Sequence, residues 1–156
     1  MKLYNLFFLT TIIIFSLVSC DGNRIYEVNK PIENSTWHQE LTKQFNIEIT
    51  DTSLTYNVII NIRNKNDYPY NNLYLFIEMT SPMEKFFTDT LEFQMADKKG
   101  KWTGSGIGNF WQNQVKLLDN VKLLETGIYK INIGQGMRDE NLIGISDVGV
   151  RVEQTK

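Results

Sequence analysis

The sequence has very few of the residues that build disulfides, metal sites and nucleophilic active sites. Its 156 residues include one cysteine, Cys20, and one histidine, His38. A single cysteine leaves no partner for a disulfide within the chain and no cysteine metal cluster. A lone histidine without a supporting motif is no basis for a Ser-His-Asp or Cys-His site. We therefore expect no catalytic residues, no metal site and no cofactor, in a fold stabilised by its apolar core.

Basic clusters and linker-like segments are also missing. The formal net charge is −2, and the longest run of basic residues is Lys98-Lys99. Nucleic-acid binding depends on clustered Lys and Arg that neutralise phosphates, so no nucleic-acid partner is expected. The chain has three prolines and no Pro/Ser-rich linker or internal repeat. A length of 156 residues without such breaks predicts one domain.

The one long apolar run in the sequence lies at the N-terminus. Leu3 to Val18 follow a single Lys2 and lead into Ser19-Cys20. A run that is shorter than the ~20 residues needed to span a bilayer, and that ends in small residues, is typical of a cleaved signal peptide. An uncleaved membrane anchor is the alternative.

The tetrapeptide Leu17-Val18-Ser19-Cys20 resembles the lipobox of bacterial lipoproteins. In that motif the chain is cleaved before the cysteine, which is left acylated, and palmitate is the expected acyl group. The resemblance predicts a signal peptide at residues 1–19 and a lipidated Cys20 with a short tether at residues 20–24. Membrane lipid is then a partner through Cys20, because several acyl chains together anchor a protein stably. The folded domain is expected at residues 25–156.

A period-two alternation of apolar and polar residues marks most of the chain from Gln44 onwards. This period places alternate side chains on opposite faces of a strand. The sequence therefore predicts an all-β fold with a single antiparallel β-sandwich domain. Only Gln112 to Leu124 is open to interpretation as a helix, which Asp119-Asn120 in its middle disfavours. The apolar members of the runs are Phe45, Ile47 and Ile49; Leu54, Tyr56, Val58, Ile60 and Ile62; Leu73, Leu75, Ile77 and Met79; Leu91, Phe93 and Met95; Tyr129, Ile131 and Ile133; Val148, Val150 and Val152.

Glycines alternate in the segment Gly104-Ser105-Gly106-Ile107-Gly108. The spacing fails the dinucleotide-binding pattern, because Asn109 stands where its last glycine is required. Glycine at every second position instead leaves bare backbone on one face of a strand, where a large ring lies close. Trp102, Phe110 and Trp111 flank the segment and are the candidates for that ring.

Two segments are candidates for an interaction surface. Leu73 to Ile77 is apolar on both faces, which slightly favours a central strand covered on both sides over an exposed Tyr74/Phe76 face. In the last strand, Asp147 and Arg151 alternate with the valines and are expected to face solvent or a partner. An arginine suits such an interface because its planar fork binds carboxylates. The alternative is that Arg151 pairs with a carboxylate on a neighbouring strand.

Several stretches together resemble the gliding-motility lipoprotein family GldH of the Bacteroidota. The resemblance covers nearly all of the chain that follows the signal peptide and agrees with the lipobox. Its most specific part is the ending from Gln135-Gly136-Met137-Arg138 to Val150-Arg151. The other stretches are Asn61-Ile62-Arg63-Asn64, Tyr68 to Phe76, Asp89-Thr90-Leu91, Ala96-Asp97, Gly100 to Gly104 and Gly127-Ile128-Tyr129.

The resemblance implies a non-enzymatic lipoprotein of the cell envelope. It would act in a gliding-motility or associated secretion apparatus by binding other envelope proteins. Surface-exported lipoproteins of this phylum tend to carry an acidic run after the cysteine, and Asp21-Gly22-Asn23-Arg24 is not one. The outer membrane, facing the periplasm, is the expected location. The inner membrane is the alternative, because Asp21 directly after the cysteine resembles the inner-membrane retention signal of some proteobacteria. The alternative function is a carbohydrate-binding envelope lipoprotein that uses Trp102 and Trp111 as stacking platforms.

Overall fold

A computed structural model describes residues 22–155, so the predicted signal peptide and Cys20 lie outside the described residues. Within this range the regular elements are all strands, apart from the single 3₁₀ turn Glu33–Ser35, and the predicted all-β class is confirmed. The range holds no apolar helix of bilayer-spanning length. The strands are β1 Arg24–Pro31, β2 Thr36–His38, β3 Lys43–Ile49, β4 Thr55–Lys65, β5 Asn72–Thr80, β6 Phe86–Gln94, β7 Ser105–Ile107, β8 Phe110–Val121, β9 Gly127–Gln135, β10 Asn141–Ile143 and β11 Ile145–Thr155.

Two antiparallel sheets form the sandwich that the alternation predicts. The first has five strands in the order β1-β11-β4-β8-β7, and the second has four in the order β3-β9-β5-β6. A small third sheet pairs β10 with β2. All the pairings are antiparallel. β1 begins at Arg24, one residue before the boundary expected for the domain.

The core lies between the two sheets and is built from the apolar positions of the alternating runs. In β5, buried and exposed residues alternate, so that Leu73, Leu75 and Ile77 point inward. β4 contributes Ile60 and Ile62, both fully buried, from the opposite sheet. Burial of side chains of this size stabilises the fold by roughly 1.5–3 kcal/mol each relative to exposure, which explains a stable domain without disulfides.

The segment Gln112 to Leu124 is not a helix, because its first ten residues belong to β8. The ambiguity has a physical cause. The pairing of β8 with β4 shifts register on either side of Val58, which breaks the period of two. As a result Val115, Leu118 and Val121, spaced by three, all pack against the core. Asn120 lies within the strand at φ 52°, a conformation that asparagine adopts more readily than most residues.

The expected contact between a bare glycine and a large ring is present in the β7–β8 hairpin. Gly106 pairs with Trp111, and a Cβ atom placed on Gly106 would overlap the indole ring. Any larger residue at this position would therefore displace the ring. Trp111 also donates a hydrogen bond from its indole nitrogen to the Asn66 side chain at 2.6 Å. Trp111 thus closes one end of the first sheet.

β6 is a free edge of the four-stranded sheet, and its residue Asp89 lies on the inner face of that sheet. Asp89 pairs with Ile77, which is buried, so the two residues share the inner face. Asp89 is nevertheless exposed, because the first half of β6 extends past the covered core. An inward-pointing charge on an edge strand discourages pairing with a strand of another chain. This edge is therefore protected against aggregation.

Candidate interaction surfaces

The outer face of the five-stranded sheet, here called the polar face, holds both charged residues of β11. The Arg151 guanidinium contacts Glu153 on its own strand and lies 3.9 Å from the Glu27 carboxylate on β1. Asp147 lies 3.3 Å from Arg63 on β4. The side chains of Arg151 and Asp147 are only 21% and 14% exposed. Both residues point away from the core as expected, and both are engaged with neighbouring carboxylates or cations of this chain.

The Asp147 carboxyl is perturbed by its surroundings. Burial raises its pKa above the ordinary value, although Arg63 and the Ser146 hydroxyl favour the charged form. The Ser146 hydroxyl also donates to the Arg63 carbonyl at 3.0 Å. The contacts of Asp147 and Ser146 with Arg63 therefore join β11 to β4 and help to hold the sheet together. An interface role for Asp147 and Arg151 stays a prediction.

A row of side-chain amides crosses the middle of the polar face, and sequence reasoning did not detect it. Gln114 donates to Asn61 at 2.8 Å, and Asn61 donates to Asn29 at 3.5 Å. Asn29 lies across Gly149, where a Cβ atom would overlap its side-chain oxygen. The row links β8, β4, β11 and β1, and Asn61 is 2% exposed. The signal in the sequence was the glycine placed among the valines of β11.

The outer face of the four-stranded sheet, here called the aromatic face, carries Tyr74 and Phe76. Tyr74 is 37% and Phe76 is 55% exposed, so the covered central strand that the sequence slightly favoured is wrong. β5 does have a strand on each side, but only its inner face is covered. An apolar run of five residues does not distinguish these arrangements, because burial of the second face depends on tertiary contacts.

The two rings lie among mainly polar residues on this face, since Tyr74 pairs with Glu92 and Phe76 with Thr90 on β6. Phe76 pairs with Gly134 in the register of β5 and β9, and its ring lies 3.2 Å from where a Cβ atom of Gly136 would be. The Glu92 carboxylate beside Tyr74 raises the pKa of that phenol. The Phe76 ring therefore lies over the backbone of Gly136, and the part of the residue that remains exposed suits docking of another apolar side chain.

The tryptophans do not form an exposed platform. Trp37 is fully buried, and its indole nitrogen donates to the Leu41 carbonyl at 2.7 Å. Trp102 packs against the core, with its ring centre 6.4 Å from that of Tyr68. The Trp111 ring packs against Gly106 and donates a hydrogen bond to Asn66, as described above. A sugar-stacking site needs an open ring face, and no observation favours one on these residues.

A metal-binding arrangement is not found in the part of the chain that the structure describes. No group of three or more His, Cys, Asp and Glu side chains suits a metal ion there. His38 lies at the surface with its ring nitrogen 3.3 Å from Glu140, across the β2–β10 pair. A contact between side chains as exposed as these contributes little to stability.

Glu125 joins two loops at one end of the sandwich. Its carboxylate accepts a hydrogen bond from the Lys85 ammonium at 2.7 Å and another from the Met83 amide at 3.1 Å. Hydrogen bonds from Lys85 and Ser81 lower the pKa of Glu125 from its ordinary 4.5 to about 2. The turn between β5 and β6 is thereby attached to the connection between β8 and β9.

This attachment predicts that the stability of the fold depends on pH. Because the folded-state pKa of Glu125 is lowered, its stabilising contribution is present above about pH 4.5 and is lost as pH falls through about 2. We expect the melting temperature of the unsubstituted protein to fall more steeply between pH 5 and pH 2 than that of Glu125→Gln. Glu84→Gln, which changes an exposed carboxylate in the same turn, is the matched control and should keep the steep fall. Parallel curves for Glu125→Gln and the unsubstituted protein would contradict the role given to Glu125.

Comparison with known proteins identifies the family. A sequence model described as GldH lipoprotein matches residues 24–152, which is almost the whole described domain. The chain belongs to the GldH lipoprotein family. It is 39% identical to a gliding motility lipoprotein GldH homolog of Christiangramia forsetii, covering 95% of this chain and 93% of that protein. It is 35% identical to the gliding motility lipoprotein GldH of Flavobacterium johnsoniae, covering 88% and 89%.

Membership confirms the predicted family and the lipoprotein class, and it places the protein among membrane-anchored lipoproteins of the cell envelope. Among solved structures, one match is TmCBM61 in complex with beta-1,4-galactotriose, at a TM-score of 0.36 and 11% identity, covering 86% of this chain and 91% of that chain. Likeness at this level carries no argument about ligands.

Proposed function

We propose that this GldH-family lipoprotein is a non-enzymatic component of a gliding-motility or associated secretion apparatus that binds other envelope proteins through its aromatic face. The names of its relatives support the connection with gliding motility. Lipid attachment at Cys20 is part of the proposal, supported by the lipobox and by the family. The proposed location is the outer membrane, with the domain in the periplasm.

The exposure of Phe76 is the observation that carries the binding surface. Phe76 is 55% exposed on the outer face of an inner strand of the four-stranded sheet, and its ring lies against the backbone of Gly136. Aromatic residues are enriched among the few residues of a protein–protein interface that contribute most of the binding free energy. Arg151 and Asp147, by contrast, already have partners within the chain, and recruiting them would require breaking those contacts. The aromatic face is therefore the better candidate.

Phe76→Ala is the test of this surface. We expect the variant to keep its melting temperature within a few degrees, because exposed substitutions usually change stability by less than about 0.5 kcal/mol. It should lose the envelope proteins that crosslink to the unsubstituted lipoprotein in cells, as identified by mass spectrometry. Ile107→Ala removes an exposed apolar side chain at another place and should retain them. Retention of the same crosslinked proteins by Phe76→Ala would rule out the aromatic face.

A further inference from the structure

The N-terminus of the domain marks one end of the sandwich. The Asn23 carbonyl accepts a hydrogen bond from the Gln154 amide at 2.7 Å, which attaches the chain to the body of the domain at this point. Thr155 pairs with Thr55 at the start of β4, and the start of β9 at Gly127 pairs with Ile49. The connections from β3 to β4 and from β8 to β9 therefore lie at the same end, here called the N-terminal end.

The turn between β5 and β6 belongs to this end too. Thr80 pairs with Lys130 of β9, and a Cβ atom on Gly127 would lie 3.1 Å from Pro82. The Glu125 carboxylate then holds this turn through Met83 and Lys85, as described above. The two loops thus form one connected surface.

Large apolar side chains on this surface are exposed to solvent. Leu124 is 77%, Met83 is 72% and Phe86 is 79% exposed. Ile128, on β9 next to the same loops, is 53% exposed. Single exposed apolar residues are ordinary on protein surfaces, whereas several on adjoining loops indicate a contact surface. We call these four residues the apolar end.

Asn23, the described residue nearest to the proposed acylation site, lies at the same end of the sandwich as this surface. Asn23 is attached to the domain, so only Asp21 and Gly22 separate it from Cys20. Three extended residues reach at most ~10 Å. The lipid on Cys20 therefore holds Asn23 within roughly that distance of the headgroups. The opposite end, where β4 finishes at Lys65, is separated from the N-terminal end by the length of the strand, ~33 Å across its eleven residues.

We propose that the apolar end is a membrane-contact surface, with Met83, Phe86 and Leu124 inserted among the lipid headgroups beside the acylated cysteine. Apolar side chains on an interfacial surface bury ~5–10 Å into the boundary between headgroups and acyl chains. The contact orients the strands away from the bilayer and leaves the aromatic face accessible from the side. The inference rests on lipid attachment at Cys20, as given under the proposed function.

The experiment uses single introduced cysteines in the full lipoprotein. Acylation occupies the sulfur of Cys20, which is the one cysteine of the sequence, so an introduced cysteine is the free thiol available for labelling. Leu124→Cys and Met83→Cys report the apolar end. Ile107→Cys is the matched control, because Ile107 is 89% exposed in the β7–β8 hairpin at the opposite end. Each purified lipoprotein is labelled with a polarity-sensitive fluorophore and reconstituted into phosphatidylethanolamine–phosphatidylglycerol vesicles.

We expect the labels at positions 124 and 83 to shift their emission to shorter wavelength and to be quenched by lipids that carry a spin label near the headgroup. The label at position 107 should show neither effect. Equal, water-like emission at all three positions in protein that floats with the vesicles would overturn the membrane contact while leaving the anchor intact. Emission shifts without lipid quenching would point to protein–protein contact and would overturn it as well. Protein that fails to float would overturn both the anchor and the contact.

Discussion

Gly144→Ala is expected to destabilise the domain by at least about 3 kcal/mol, which corresponds to a fall in melting temperature of roughly 10 °C. Gly144 lies between β10 and β11 with φ at 86°, a conformation that residues with a side chain rarely adopt. A Cβ atom there would also approach the backbone of Tyr68, at 2.5 Å from its Cα atom. Backbone atoms cannot move aside as the end of a flexible side chain can.

The consequences of that overlap would spread through a hydrogen-bonded corner of the fold. The Gly144 amide donates to the Ser35 carbonyl, and the Gly144 carbonyl accepts from the Lys65 amide, both at 2.8 Å. Tyr68 is 3% exposed, and its hydroxyl donates to the Asn72 carbonyl at 2.7 Å. Displacement of Tyr68 would therefore weaken the connection between β4 and β5 as well as the start of β11.

Gly100→Ala separates the two causes. Gly100 has a similar φ of 81°, but no atom lies within 4 Å of its missing Cβ, so only the backbone strain of about 1–2 kcal/mol is expected. The measurement is the thermal melt of each purified protein followed by circular dichroism. Equal melting temperatures for the two variants would show that the contact with Tyr68 does not matter.

Cys20→Ala is expected to abolish the mature, membrane-bound form of the protein. The substitution removes the only cysteine of the sequence and with it the proposed acylation site. The protein should accumulate as uncleaved precursor or leave the membrane fraction. The contact proposed for the apolar end does not replace the anchor, because interfacial contacts of a few side chains are weak and reversible. Fractionation of cells, followed by a carbonate wash and immunoblotting, measures the outcome.

Gly22→Ala is the matched control for the anchor, since no atom lies within 4 Å of its missing Cβ and it is two residues from the cysteine. This variant should be processed and should remain in the membrane pellet. Mature-sized Cys20→Ala protein that resists the carbonate wash would show that the protein is held by something other than lipid on this residue.

The class of fold was predictable because the core-forming side chains follow a strict local rule. Phe45, Ile47 and Ile49 alternate with polar residues in β3, and all three are buried. The rule failed in β8, where a register shift opposite Val58 produced apolar spacings that resemble a helix. Irregular pairing depends on the partner strand, so its position cannot be derived from the local sequence.

The sequence predicted which residues belong to the candidate surfaces, but it did not predict the contacts that these residues make. Alternation with the valines of β11 placed Asp147 and Arg151 on the outer face, as observed. Glu153, which contacts Arg151, lies on the same strand, but Arg63 and Glu27 lie on strands far away in sequence. The ion pairs with Arg63 and Glu27 therefore followed only from the order of strands in the sheet. The amide row through Asn61 was invisible for the same reason.

By itself, the sequence determined the predicted signal peptide and lipobox, the absence of disulfides, the family and the β class, since all of these depend on local patterns. The tertiary structure decided which apolar residues remain exposed to solvent. Tyr74 and Phe76 belong to the same apolar run as the buried Leu73 and Leu75, and only the position of the second sheet separates them. Met83 and Leu124 are about forty residues apart in the chain and come together because strand pairing and Glu125 bring their loops to one end. Burial is a property of packing between distant segments, which local sequence does not encode.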